Sequence, residues 1–202
     1  MILERQRYAL SFRISLTILF IILFIPSHYP IAQTSSKIVG ELVAARQTTV
    51  NGESAISGVT IYSGSQIKTA FLGIASLNLG TKGRIELAKG ADFTLGLTPD
   101  SVSGELREGR AIFSLPGTVS IKLQVKNCQI ETFGKQSSVS SFEINDNVLT
   151  LMAGAETIIT MSAGKSQNIS VGEEVTLNLS SGEMHRQKSA YLIWHQTVNS
   201  LS

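Results

Sequence analysis

From Glu41 to Ser180 apolar and polar residues alternate with a period of two. The alternation is most regular at Val119-Ser-Ile-Lys-Leu-Gln-Val-Lys126, where Val119, Ile121, Leu123 and Val125 share one face and the polar residues the other. It recurs at Ile74 to Leu79, Arg84 to Leu87, Phe93 to Leu97 and Val175 to Leu179. Such runs read as strands with one face buried and one in water. Turn signals separate them: Asn51-Gly52, Ser57-Gly58, Ser63-Gly64, Lys82-Gly83, Lys89-Gly90, Ser103-Gly104, Glu108-Gly109, Pro116-Gly117, Asn145-Asp-Asn147, Ala153-Gly154, Ala163-Gly164 and Val171-Gly172. Glycine reaches the positive φ that tight hairpins need, so this spacing predicts antiparallel strands of about five residues each. The expected class is all-β: an antiparallel sandwich or jelly-roll-like domain of about ten to twelve short strands. No residue motif recurs at a fixed period, so a solenoid is not required.

The two ends of the chain break the pattern. Arg5, Arg7 and Arg13 precede the apolar run Ile14 to Ile25, which Pro26 closes. A positive segment followed by an apolar one has the layout of a secretory signal. As a helix the run would measure about 18 Å, short of the roughly 30 Å of hydrocarbon in a bilayer, which favours cleavage over anchoring. Ala32 offers a small residue for cleavage before Gln33, although Pro30 stands where a second small residue is usual. Residues 1–32 are therefore expected to be a signal peptide or signal anchor. At the other end Ser180-Ser-Gly-Glu183 fits a capping box, and Tyr191, Trp194, Val198 and Leu201 follow at helical spacing. This predicts an amphipathic helix from Met184 to Asn199 within residues 183–202, either a lid on the sheet or a docking element for a partner or a membrane surface. The intervening residues 33–182 form the expected β-domain.

Charge and cysteine content narrow the partners. The chain carries 17 Lys+Arg and 15 Asp+Glu. Without residues 1–32 the two signs balance, so the basic character belongs to the leader. No Lys/Arg stripe remains for a phosphate backbone, and nucleic acid is not an expected partner. Cys128 is the only cysteine. The domain must fold without an internal disulfide, and Cys128 reads as a strand residue packed in the core.

The residue types that carry chemistry are sparse. Gly164-Lys165-Ser166 has the end of a phosphate-binding loop, but Ile159 stands where the motif needs its first glycine, and the run lies between strands. It reads as a hairpin turn. His28, His185 and His195 fall in the leader and near the C-terminus, without zinc-site spacing. A serine–histidine–acid triad would have to borrow a tail histidine, and no Gly-x-Ser-x-Gly elbow is present. Asp92, Asp100 and Asp146 are the only aspartates, and the glutamates are scattered. Asn168-Ile-Ser and Asn178-Leu-Ser match glycosylation sequons and read as strand and turn residues. No catalytic, cofactor-binding or metal-ligating residue is assigned, no cofactor is expected, and the binding residues are left unspecified.

Several segments together resemble the FecR domain. They are Gly58-Val-Thr-Ile-Tyr-Ser-Gly-Ser-Gln-Ile-Lys-Thr69, Ile74-Ala-Ser-Leu-Asn-Leu79 with Arg84-Ile-Glu-Leu87, Gly104-Glu-Leu-Arg-Glu-Gly109, Asn147-Val-Leu-Thr-Leu-Met-Ala-Gly154, and Ile169-Ser-Val-Gly-Glu173. The resemblance spans about residues 42 to 180. Ser65 replaces the family's usual aspartate, and Ser140-Ser141 stands in place of its Gly-Thr. Family members that regulate sigma factors carry a cytoplasmic domain ahead of the membrane helix, whereas about a dozen residues precede Ile14 here, too few to fold on their own. The resemblance implies a bacterial extracytoplasmic β-domain, periplasmic or secreted, and transfers no site residue.

Three functions follow as expectations. The first is a non-enzymatic module that meets an envelope protein or a polysaccharide, touching membrane only through an uncleaved leader at residues 14–25. The second is a membrane-anchored signalling component. The third is an envelope hydrolase, which would need two carboxylates, or His195 and a serine, to meet in one pocket.

Overall fold

The computed structural model describes residues 38–162 and 164–189. They form fourteen strands in one continuous sheet. In chain order these are β1 (Ile38–Val50), β2 (Glu53–Ser54), β3 (Val59–Tyr62), β4 (Gln66–Asn78), β5 (Arg84–Leu97), β6 (Ser101–Leu115), β7 (Ser120–Val125), β8 (Cys128–Phe133), β9 (Ser138–Asn145), β10 (Val148–Met152), β11 (Glu156–Met161), β12 (Ser166–Ile169), β13 (Glu173–Asn178) and β14 (Met184–Lys188). A single 3₁₀ turn, Gly80–Lys82, joins β4 to β5. The all-β sandwich expected from the alternation is the fold observed. Every pairing is antiparallel except that of β6 with β7, which is parallel from Ser101↔Ser120 to Glu105↔Gln124.

Four strands, β1, β4, β5 and β6, are far longer than five residues, and three of the twelve turn signals lie inside two of them instead of at turns. Lys89-Gly90 lies inside β5, and Ser103-Gly104 and Glu108-Gly109 lie inside β6. These glycines serve bulges and close strand contacts rather than chain reversals. The pairing register slips between Arg46 and Thr48 on β1, between Lys68 and Ile74 on β4, and between Ala88 and Phe93 on β5. Asp92 faces Glu108 while Phe93 faces Leu106, which leaves Arg107 unmatched on β6. The buried residues of β6 accordingly change parity, from Val102 and Leu106 to Ala111, Phe113 and Leu115. Positive φ at Gln47, Lys89, Gly90 and Gly109 marks the same line on β1, β5 and β6.

A row of bulges across four neighbouring strands is a corner. The Thr48 hydroxyl donates to the Ile74 carbonyl at 2.9 Å, and Thr69 Oγ1 accepts the Ala91 N–H at 2.9 Å. Both threonines are buried, so backbone groups released from the ladder still find partners. On one side of the corner the order is β3, the first part of β1, the second part of β4, the first part of β5, the second part of β6, then β9, β10, β13 and β14. On the other side β2 and the remaining parts of β1, β4, β5 and β6 continue into β7, β8, β11 and β12. One apolar cluster draws on both halves. At its centre Phe93, Phe113 and Phe142 meet edge to face, with centroids 6.0 and 5.6 Å apart.

The C-terminal expectation needs correction. Met184–Lys188 is strand β14, paired with β13 from Leu177↔Met184 to Glu173↔Lys188, so the sheet runs past residue 182 and no helix begins at Met184. Ser180-Ser-Gly-Glu183 belongs to the β13–β14 connection, where Asn178 Oδ1 accepts the N–H groups of Ser180 and Ser181. A residue at N-cap spacing also suits a tight turn, and cross-strand pairing with β13 decided between them. Tyr191, Trp194, His195, Val198 and Leu201 lie outside the described residues, as do the leader and His28. Among the described residues no helix is long and apolar enough to cross a membrane.

Candidate functional site

After β6 the chain advances in hairpins that alternate between the two halves: β7–β8 and β11–β12 on one, β9–β10 and β13–β14 on the other. Each change of half requires a crossover. The crossovers β8 to β9, β10 to β11 and β12 to β13 all contribute to the wall of one groove of about 1310 Å³. Gly134 to Ser137 come from the first, Gly154 and Ala155 from the second and Val171 from the third, while Glu86, Ile112 and Ser114 form a floor from the outward faces of β5 and β6.

Packing between these crossovers is close. A Cβ on Gly154 would lie 2.0 Å from the Val139 carbonyl oxygen, so only glycine fits where the second crossover runs over β9. The Ser140 hydroxyl accepts the Gly154 N–H at 3.1 Å and is itself fully buried. Ser140 thus fastens the crossover that borders the groove. Ser65 is built in likewise: it is buried, and its hydroxyl accepts the Tyr62 N–H at 3.2 Å.

The groove presents mixed chemistry. Phe133, Val139 and Val171 stand 47%, 43% and 47% exposed along it, a large apolar area to leave in water. Ser114, Ser137 and Ser138 add hydroxyls, Glu86 and Glu156 carboxylates, and Lys135 a cation. Glu86 is held 3.1 Å from Arg84. A surface of this kind can take up an extended chain through apolar contact and hydrogen bonds. Its signal in the sequence was hidden, because Phe133 and Val171 alternate with polar neighbours like any strand or turn residue.

The residues singled out by sequence are dispersed. Gly164-Lys165-Ser166 is the β11–β12 turn, as expected, with Gly164 at φ 75° and Ser166 opening β12. Lys165 borders a smaller depression of about 280 Å³ beside Cys128. Cys128 opens β8, is 1% exposed, and burial pushes its thiol above the ordinary range. Asn168 lies on β12 and Asn178 ends β13. His185 sits exposed on β14, with Nε2 3.3 Å from Glu183. Asp100 occupies the β5–β6 turn and Asp146 the β9–β10 turn.

Asp92 is different. Lys68 Nζ lies 3.0 Å away, the Gln66 amide donates to it at 2.7 Å, and Arg107 adds a contact at 3.3 Å. Partial burial raises its pKa, yet the hydrogen bonds from Lys68 and Gln66 and the charges of Lys68 and Arg107 outweigh that and hold the carboxyl below its ordinary value. It braces the corner strands and does not line the groove. Among the described residues no three His, Cys, Asp or Glu side chains gather as a metal site.

No protein-family profile matches this chain, and no curated protein matches it. Two crystal structures from Parabacteroides distasonis ATCC 8503, each described as a "putative anti-sigma factor", show a distant likeness. The first aligns at TM-score 0.46 and 14% identity over 57% of this chain and 56% of the other; the second at TM-score 0.38 and 12% identity over 70% and 60%. The chain therefore spans less than two thirds of the length of either neighbour.

Proposed function

We propose that this chain is an exported, non-enzymatic FecR-like interaction module of the bacterial cell envelope, and that its partner, an envelope protein or a polysaccharide, is taken up in the groove at the crossover end. The observation that carries the reading is the convergence of three half-exposed apolar residues, Phe133, Val139 and Val171, on one hydroxyl-lined groove. Supporting it, the FecR-like glycine pattern suits an extracytoplasmic domain, the leader supplies an export signal, and a single buried cysteine needs no oxidative pairing.

Buried Cys128 makes a clean test possible. A photo-crosslinker attached at V171C is expected to trap a partner in the envelope of the producing cell, while one attached at K122C on β7 should not. Equal products from both positions, or none from V171C, would overturn the reading. Fractionation with N-terminal mass spectrometry checks location: a soluble chain starting near Gln33 supports a released module, and an intact N-terminus in the membrane fraction moves the reading to an anchored signalling component.

A further inference from the structure

We infer that the corner of the sandwich is a membrane-contact tip, at which Ile56, Phe71 and Leu72 enter the headgroup region of an anionic phospholipid surface. The pairing register of β4 creates the tip. On the β1 side Thr69 faces Thr48 and Ile74 faces Arg46, so Ala70 to Gly73 stand opposite Gln47 alone. On the β5 side Lys68 faces Asp92 and Ile74 faces Ala88, so Thr69 to Gly73 oppose only Lys89, Gly90 and Ala91. Surplus chain on both sides of one strand has to bulge out of the sheet. The bulge is firmly held: the Arg46 guanidinium donates to the Leu72 carbonyl at 2.8 Å, and a Cβ on Gly73 would lie 2.8 Å from the Gln47 carbonyl oxygen. Across β1 the β2–β3 connection spans the same bend. The Ala55 N–H donates to the Thr48 carbonyl at 3.0 Å and the Gly58 N–H to the Leu42 carbonyl at 2.8 Å, with Ile56 between these two ties.

These two segments carry the three most exposed large apolar side chains among the described residues: Phe71 at 78%, Ile56 at 74% and Leu72 at 69%. None of the three lines the groove. Side chains this bare mark a contact surface. A protein partner would have to match them with a pocket inside an interface of about 800 Å² per side, whereas a fluid bilayer conforms to a narrow tip. Charge favours the bilayer as well. Residues 55–58 and 69–75 contain no charged side chain, while Arg46 on β1 and Lys89 on β5 flank the bulge, and neither strand places an acid opposite it. Arg46 forms no ion pair among the described residues, and Lys89 shares the single carboxylate of Glu143 with Arg110, at 2.7 and 3.1 Å. Apolar side chains set between cations suit a layer in which phosphates lie just outside the acyl chains. Entry stops at that boundary, because the backbone of an irregular bulge must keep its contact with water.

Because Cys128 is buried, one environment-sensitive fluorophore can be placed by cysteine substitution in the full chain. At L72C its emission is expected to shift to the blue and brighten several-fold on addition of phosphatidylglycerol–phosphatidylethanolamine vesicles, and to be quenched by a nitroxide carried at headgroup depth. At K122C on β7 it should keep its aqueous emission, which separates entry of the corner from attachment of the chain through residues 14–25. A probe at I56C should lose most of its shift in the F71S/L72S background, while the circular-dichroism unfolding midpoint stays that of the parent. Phosphatidylcholine vesicles should give a response several-fold weaker. Aqueous emission at L72C with vesicles present, or equal shifts at L72C and K122C, would overturn the inference. An equal response to phosphatidylcholine would overturn the assignment to an anionic surface. A blue shift that needs no vesicles and disappears on dilution would also refute it, since the occupant would then be a second copy. The tip and the groove are different surfaces, so this result and the crosslinking result at V171C can fail separately.

Discussion

Gly90 on β5 and Gly109 on β6 both lie at the corner, with φ of 71° and 77°. Alanine in that left-handed region costs about 1–2 kcal/mol, so Gly90→Ala and Gly109→Ala share this penalty. Their surroundings differ. A Cβ at Gly109 would sit 2.4 Å from the Ala91 nitrogen and 2.5 Å from its Cα, whereas at Gly90 the nearest atom is the Phe71 Cα at 3.9 Å. The Gly109 neighbours are backbone of the paired strand and cannot rotate away, so relief requires opening the corner, at an overpacking cost of about 1–3 kcal/mol. Gly90→Ala is therefore expected to lose about 1–2 kcal/mol and Gly109→Ala about 2–5 kcal/mol, against a typical total stability of about 5–15 kcal/mol. Urea unfolding followed by far-ultraviolet circular dichroism measures both. In a domain of this size each kcal/mol corresponds to about 2–4 °C in Tm, so the two variants should separate clearly on heating as well. Equal losses, or a larger loss at Gly90, would refute the assignment of Gly109 to a close strand contact at the corner.

Asp92 gives a pH prediction whose sign follows from its depressed pKa. A carboxyl held below its unfolded value of about 3.9 contributes stability above that pH and loses it as pH falls through the folded value. Asp92→Asn should therefore lower the unfolding free energy at neutral pH, by about 1 kcal/mol or less because Lys68 and Arg107 are half exposed, and should match the parent in strong acid; a difference that grows on acidification would contradict this. Cys128, 1% exposed with its thiol pushed up by burial, should resist a thiol reagent in the native protein and react fully in denaturant, and rapid native labelling would disprove its packing.

Much of the fold could be read from single residues and their spacing. Alternation at Ser120–Val125 and Glu173–Asn178 marks strands because a pleated backbone turns successive side chains to opposite faces. Nine of the twelve turn signals connect elements, as at Asn51-Gly52 and Asn145-Asp-Asn147, where short side chains and glycine tolerate positive φ. Glycine has a second use that spacing cannot separate from the first. Gly104 and Gly109 sit where a neighbouring strand or ring comes too near for a Cβ, a fact of pairing between distant residues. The expected C-terminal helix failed over Met184–Lys188 for a related reason, since helical spacing weighed less than an open edge on β13.

The groove lay beyond sequence altogether. Phe133, Val139, Gly154 and Val171 belong to different strands and crossovers and come together only because successive hairpins alternate between the two halves and cross at one end. The sequence by itself determined the all-β class, the half-buried strands, the balanced charge of residues 33–202 and the absence of internal disulfides, since each depends on local periodicity or on counting. The tertiary structure alone decided the corner, the parallel β6–β7 pair and the shape of the groove, because those depend on which strands meet, and that choice is made by burying one shared core.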